Sequence, residues 1–175
     1  MRPKQNLITR VALFAALVFI LSYFAVFFPN INPSFFVVFL AGYLWGVRPG
    51  IGVGVIGFLL WSLLNPMGPP LYPILLAQLA GISFSAVIGA FFSKLIRPVP
   101  FSYYNLIILS ISGLLCGFWF QLPVSIVDAW INQPFRERLI GGLLFSLITI
   151  ISNGIIFPLL YPVLVFMHER EKRAV

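Results

Sequence analysis

The chain has 175 residues, of which 61% are hydrophobic and only 9% charged, with a net charge of +7. Soluble domains carry roughly 25% charged residues, so this composition cannot clothe a water-facing surface and defines an integral membrane protein of one domain. The basic residues sit in short clusters between apolar runs, which suits membrane topology signals and not a nucleic-acid surface.

The first apolar run, 7–28, follows Arg2, Lys4 and Arg10. It is too long for a signal-peptide core and reads as a retained span. Pro29-Asn30-Ile31-Asn32-Pro33 ends it. Two short runs follow, 34–47 and 50–65, split at Arg48-Pro49-Gly50. The loop Asn65-Pro66-Met67-Gly68-Pro69-Pro70 cannot propagate a helix. It leads into a fourth span, 71–93, stopped by Lys94, Arg97 and Pro98. Spans at 103–127 and 138–166 complete the series, and a charged tail runs from His168 to Arg173.

The second and third runs are each shorter than the ~20 residues usually needed to cross a bilayer, and charge decides how to read them. Six crossings place Arg2, Lys4, Arg10, Arg48, Lys94, Arg97, Arg170, Lys172 and Arg173 on one side and only Arg136 and Arg138 on the other. The larger cluster belongs in the cytoplasm. Five crossings would strand Arg48 in the bilayer and split the remaining basic residues evenly. The expected fold is therefore an all-α membrane protein, a compact bundle of six transmembrane helices with both termini cytoplasmic. The outer loops are then 29–34, 65–70 and 128–137.

Small residues recur four apart: Ala12 with Ala16, Gly42 with Gly46, Gly50 with Gly54, Ala77 with Gly81, Ala86 with Ala90, and Gly113 with Gly117. That spacing puts them on one helix face, where neighbouring backbones approach closely. The Ala12/Ala16 pair lies near the expected cytoplasmic end of the first span, where a partner subunit can dock.

Polar side chains inside apolar spans are costly and tend to mark function. Counting along the helices, Gln78, Gln121 and Ser146 each lie about 10 Å below the outer ends of their spans. Trp119 stands beside Gln121 as an aromatic wall, with Phe118 and Phe120. A mostly apolar cavity with a few placed polar groups is the pattern of a small-molecule site. Asn65 belongs to its roof. At the rim, Asp128 can pair with Arg136 or Arg138 and hold the last outer loop, or an arginine such as Arg136 can meet a substrate carboxylate. Asn153 lies deeper, as a pocket group or as a partner for backbone freed by Pro158 and Pro162. The stiffness of the Asn65 loop leaves the 29–34 loop as the moving lid.

Cys116 is the one cysteine and His168 the one histidine. An internal disulfide, a multi-histidine metal site and a His-dependent hydrolase are thus excluded, and His168 is expected to be solvated in the tail. No Gly-x-x-x-x-Gly-Lys motif is present, so nucleotide is not hydrolysed by that route. No carboxylate lies within a span, which removes the usual buried acid of an ion-driven carrier. Neither a cofactor nor a metal is expected, and the chain is not read as an enzyme. It can hold a molecule, but the energy for transport must come from a partner.

With these features in place, the chain resembles the S components, the substrate-binding membrane subunits of energy-coupling factor (ECF) vitamin transporters. The resemblance rests on the six short spans and Ala12-x-x-x-Ala16. It also rests on the stretch from Leu40 to Gly50, on Asn65 to Pro70, and on Leu75-Leu76-Ala77-Gln78-Leu79-Ala80-Gly81. It implies capture of a vitamin or related micronutrient at the outer face of a bacterial or archaeal cell membrane. It further implies docking through Ala12 and Ala16 on a transmembrane coupling subunit attached to two ATPases. A structural scaffold resembling the rod-shape-determining protein of the cell-wall elongation machinery is the rival reading.

Overall fold

The computed structural model describes residues 3–97, 99 and 101–174. Arg2 and Pro98, which enter the charge count and the end of the fourth span, lie outside the described residues. The fold is all-helical, with no strand among the described residues. Its elements are α1 (Pro3–Ser22), α2 (Phe24–Phe27), α3 (Ser34–Trp45), α4 (Val47–Leu64), α5 (Tyr72–Phe92), α6 (Tyr103–Ile131), α7 (Phe135–Leu159) and α8 (Tyr161–Ala174). Among the described residues, five segments are long and apolar enough to cross a membrane: 7–27, α4, α5, α6 and α7.

The short helix α3 forms the axis. It packs against α1, α4, α5, α6, α7 and α8, while α1–α4, α4–α5, α5–α6 and α6–α7 are neighbours around it. Ten consecutive α3 residues, Ser34 to Tyr43, are buried. Phe36 meets Phe157 of α7 edge-on and Phe39 meets it tilted, at ring-centroid distances of 5.3 and 5.1 Å. Phe35 and Phe58 meet Phe120 of α6 at 4.8 and 5.3 Å.

The helices approach closely because the small residues sit at the crossings. A Cβ on Gly50 would lie 2.8 Å from Gly42 Cα, one on Gly81 2.8 Å from Phe120 Cα, and one on Gly117 2.8 Å from Ile150 Cα. Added carbons at Gly42 and Gly89 would strike the backbone of Ala86 and Phe39, so α3 and α5 touch main chain to main chain.

Several expected boundaries are corrected. The first span breaks at Tyr23. Ser22 Oγ donates to the Val18 carbonyl at 2.8 Å, a back-bond that bends helices, and Tyr23 N–H takes the tighter Ile20 carbonyl. The α3–α4 turn falls at Gly46, not at Arg48-Pro49-Gly50. Gly46 has φ 87°, which only glycine adopts freely. Pro49 falls in the first turn of α4, where its missing N–H costs nothing. Helix α6 runs past Val127 to Ile131, because Asp128 needs no loop to find partners: Asn132 Nδ2 and Arg138 Nε each donate to its carboxylate at 2.9 Å. The third of the loops expected on the outer side is thus three residues, 132–134. The last span stops at Leu159, where Pro158 and Pro162 interrupt the hydrogen-bond ladder, and the charged tail continues as helix α8.

Arg10 of α1 forms an ion pair with Glu171 of α8, so the two ends of the chain meet at one end of the bundle. The Asn65 loop and the 132–134 loop lie at the other.

Candidate functional site

At the end of the bundle away from the chain termini, α6 and α7 part around a hollow of about 650 Å³. Its polar wall is Asp128, Asn132, Gln133, Glu137 and Arg138; Phe145 and Pro134 supply apolar surface and Gly141 and Gly142 the floor. The Asp128–Arg138 pair spans two helix ends across the short loop and holds them together. Directly beneath, Ser146 Oγ donates to the Gly142 carbonyl at 2.7 Å and lies 3.4 Å from Ser125 Oγ. The gap therefore closes downward into a hydrogen-bonded seam.

That seam continues along α6 and α7. Gln121 Nε2 donates to Thr149 Oγ1 at 2.7 Å, and Ser110 Oγ to the Gly154 carbonyl at 2.6 Å. Asn105 Nδ2 donates to the Tyr161 hydroxyl at 2.7 Å, which in turn donates to the Val99 carbonyl at 2.5 Å. Ser110 supplies what was expected of Asn153. Pro158 removes the N–H that Gly154 would have bonded four residues on, and the Ser110 hydroxyl replaces it. Asn153 instead donates to the Thr149 carbonyl at 2.9 Å, fully buried, and its Oδ1 has no partner.

The sequence-derived site residues fall into three groups. Ser146 lies under the hollow, with Gln121 about one turn further in. Gln78 faces the other way, accepting from Ser62 of α4 at 3.3 Å. Gln121 and Ser146 thus belong to the α6–α7 seam, whereas Gln78 points toward α4. Trp119 is 40% exposed and stacks on Phe84 of α5 at 5.1 Å on the outer surface of the bundle. Arg136 is exposed and forms no ion pair among the described residues; the arginine at the hollow is Arg138.

Asn65 fastens its own loop. Its Nδ2 donates to the Ser62 and Gly68 carbonyls, both at 3.0 Å, and its Oδ1 accepts from Met67 N–H at 2.9 Å. The loop expected to act as a lid is tied to α7: Asn30 Nδ2 donates to the Phe145 carbonyl at 3.1 Å, and Ser152 Oγ donates to the Asn30 carbonyl at 3.3 Å. Asn132, Gln133 and Ser125 were not singled out from sequence. An Asn-Gln-Pro run closing a short helix–helix turn was the available signal.

On the flank of the bundle, Ala12 and Ala16 are exposed and line an apolar groove of about 530 Å³ between α1 and α4, with Ile56 and Leu60 opposite and Arg48 and Pro49 at one end. Near the chain termini, His168 is not a solvated tail residue. Its Nδ1 lies 3.2 Å from the Tyr43 hydroxyl, because α8 folds back beneath α3. Desolvation, then the charge of Lys172, lowers its pKa, with Glu169 opposing.

The match to protein families agrees with this architecture. Residues 6–169 fit the family described as ECF transporter, substrate-specific component. The chain belongs to that family. No curated protein and no solved structure matches it. It is a multi-pass membrane protein and the substrate-binding subunit of a transporter, not a catalytic one, and it works with the subunits of an ECF module. The rod-shape scaffold reading has no support.

Proposed function

We propose that this chain captures a vitamin or related micronutrient at the outer face of a bacterial or archaeal cell membrane for ATP-driven uptake. The observation that carries the reading is the hollow between α6 and α7, a mixed polar and apolar space at the end of the bundle away from the chain termini. A few placed polar groups in a concave, partly apolar site are what a small ring compound requires. In this reading the bundle crosses the membrane six times with both termini cytoplasmic, and α3 makes one of the crossings inside the protein.

Gln121, Ser146 and Asn153 form the polar seam on which the hollow rests. Gln78, Trp119 and Asn65 do not line the hollow and act on the stability of the α4, α5 and loop packing instead, and Arg136 stands outside as a charged approach. The exposed Ala12/Ala16 face is the docking strip for a coupling subunit attached to two ATPases, because small residues beside an apolar groove let a partner helix come close. The carboxylates of α6 and α7, Asp128 and Glu137, stand at the ends of their helices beside the 132–134 turn, away from the middle of a span where an ion-coupling acid would sit, which fits energy supplied from outside the chain.

The test is purification followed by thermal-shift screening against a vitamin panel. A ligand that raises the melting temperature of the wild type should protect Gln121→Ala less. A panel in which no vitamin stabilises the protein would overturn autonomous capture. Arg138→Gln, which removes the guanidinium at the hollow, should weaken binding of the same ligand, and unchanged affinity would place the site elsewhere.

A further inference from the structure

At the opposite end of the bundle, a second hollow of about 540 Å³ opens where the C-terminal ends of α3 and α5 meet α8. Tyr43, Trp45, Ser93, His168 and Lys172 line it. Trp45 and Glu171 also form part of a smaller neighbouring hollow of about 220 Å³, which Arg10 and Arg170 enter.

The donor and acceptor balance here is one-sided. The Tyr43 hydroxyl has one partner, His168 Nδ1. If the hydroxyl donates there, the neutral imidazole carries its proton on Nε2. That Nε2 is buried and without a hydrogen-bond partner, and so is the indole Nε1 of Trp45. Lys172 forms no ion pair among the described residues. The one carboxylate lining the two hollows, Glu171, is already taken by Arg10. Buried donors are normally satisfied, and no acceptor for these groups lies among the described residues, which leaves room for one from a bound molecule.

Charge points the same way. Arg10, Arg170 and Lys172 outnumber Glu171. The α3 and α5 C-termini contribute roughly half a negative charge each, which leaves about one net positive charge. The surroundings are those of a membrane interface: Tyr43, Trp45 and Phe14 are aromatic, and Leu13, Leu44 and Met167 provide apolar surface. Aromatic rings beside basic side chains mark the headgroup level of a bilayer.

We propose that this hollow is a binding site for the phosphate of an anionic phospholipid headgroup in the leaflet at the chain-termini end of the bundle. Lys172 supplies the charge, and the Trp45 indole and His168 imidazole supply the donors. The lipid thereby holds α8 against α3. The site lies away from the substrate hollow and does not depend on its assignment.

The experiment uses the full chain, purified and delipidated, with melting temperature and native mass spectrometry as readouts. Phosphatidylglycerol, phosphatidylcholine and inorganic phosphate are the three probes. Phosphatidylglycerol should stabilise the wild type and remain bound, while the other two have little effect. Lys172→Glu should weaken phosphatidylglycerol binding by about 30-fold, since each basic residue near an anionic surface counts for about fivefold and reversal counts twice. Arg97→Glu, with the same charge change at an exposed position outside the hollow, should alter it by less than about threefold. Trp45→Phe keeps the ring and removes the N–H, and should weaken retention without lowering the melting temperature of the lipid-free protein. Equal protection by phosphatidylcholine, or Lys172→Glu binding like the wild type, overturns the proposal. Protection by inorganic phosphate equal to that by phosphatidylglycerol overturns the lipid assignment in favour of a free-phosphate site.

Discussion

Gly117→Ala tests whether the α6–α7 seam is set by backbone contact. A methyl group on residue 117 would lie 2.8 Å from Ile150 Cα and 3.2 Å from the Thr149 carbonyl oxygen. Carbon atoms pack best at about 3.5–4.0 Å, so the two helices must separate by about 0.7 Å. The Gln121–Thr149 hydrogen bond, 2.7 Å in the native seam, then stretches to about 3.4 Å, beyond useful geometry. Overpacking of this kind costs about 1–3 kcal/mol. The lost interhelical bond adds about 0.6 kcal/mol, and the better helix propensity of alanine returns up to about 1 kcal/mol. The net destabilisation is about 1–3 kcal/mol. For a chain of this size it lowers the melting temperature by about 2–12 °C, at roughly 2–4 °C per kcal/mol. Gly141→Ala is the matched control, because a Cβ there meets nothing within 4 Å and only propensity acts. Thermal unfolding of both variants in one detergent is the assay. Equal or raised melting temperatures for the two would refute the close-contact argument.

Four further outcomes are expected. Ala12→Trp should abolish co-purification with a coupling subunit and leave ligand protection intact, since Ala12 is exposed on the groove between α1 and α4; unchanged complex formation would remove that face from docking. His168 has its pKa lowered in the fold, so the unfolded chain binds the proton first. Stability should therefore fall as pH drops through about 6.5, and His168→Gln, at the one histidine, should flatten that slope in melting curves taken from pH 7.5 to 5.5. Asn105→Leu removes the buried amide that joins Tyr161 to the Arg97 backbone. It should destabilise by about 1–3 kcal/mol, read as a lower melting temperature with unchanged ligand affinity. Asp128→Asn breaks an exposed ion pair and should cost no more than about 1 kcal/mol of stability, while loosening ligand binding if the proposed site between α6 and α7 is the one used.

Much of the fold was legible because apolar run lengths and basic punctuation report on membrane crossing directly. The regular spacing of small residues likewise foretold the tight crossings at Gly81 and Gly117. Boundaries were misread where one residue carries two meanings. Asp128 looked like the end of a span because it is charged, yet a charge at a helix end stays helical when Asn132 and Arg138 neutralise it. Arg48-Pro49-Gly50 looked like a turn, although proline is tolerated in a first helical turn and Gly46 was the residue able to take positive φ. For the site, depth was the readable coordinate and direction was neglected. Trp119 and Gln121 are two residues apart on one helix, hence on opposite faces, so they could not wall the same cavity. The facing of Gln78 toward Ser62 depends on the order of helices around α3, which a sequence pattern does not encode.

The shortness of α3 has a consequence for the surrounding lipid. Twelve residues rise about 18 Å, against roughly 30 Å of hydrocarbon. An exposed helix of that length would thin the bilayer or force tilting. Here the bilayer meets only the longer helices around it, so the mismatch is absorbed inside the protein and exerts no force on the membrane. The length of the axis is thereby released from the thickness of the membrane.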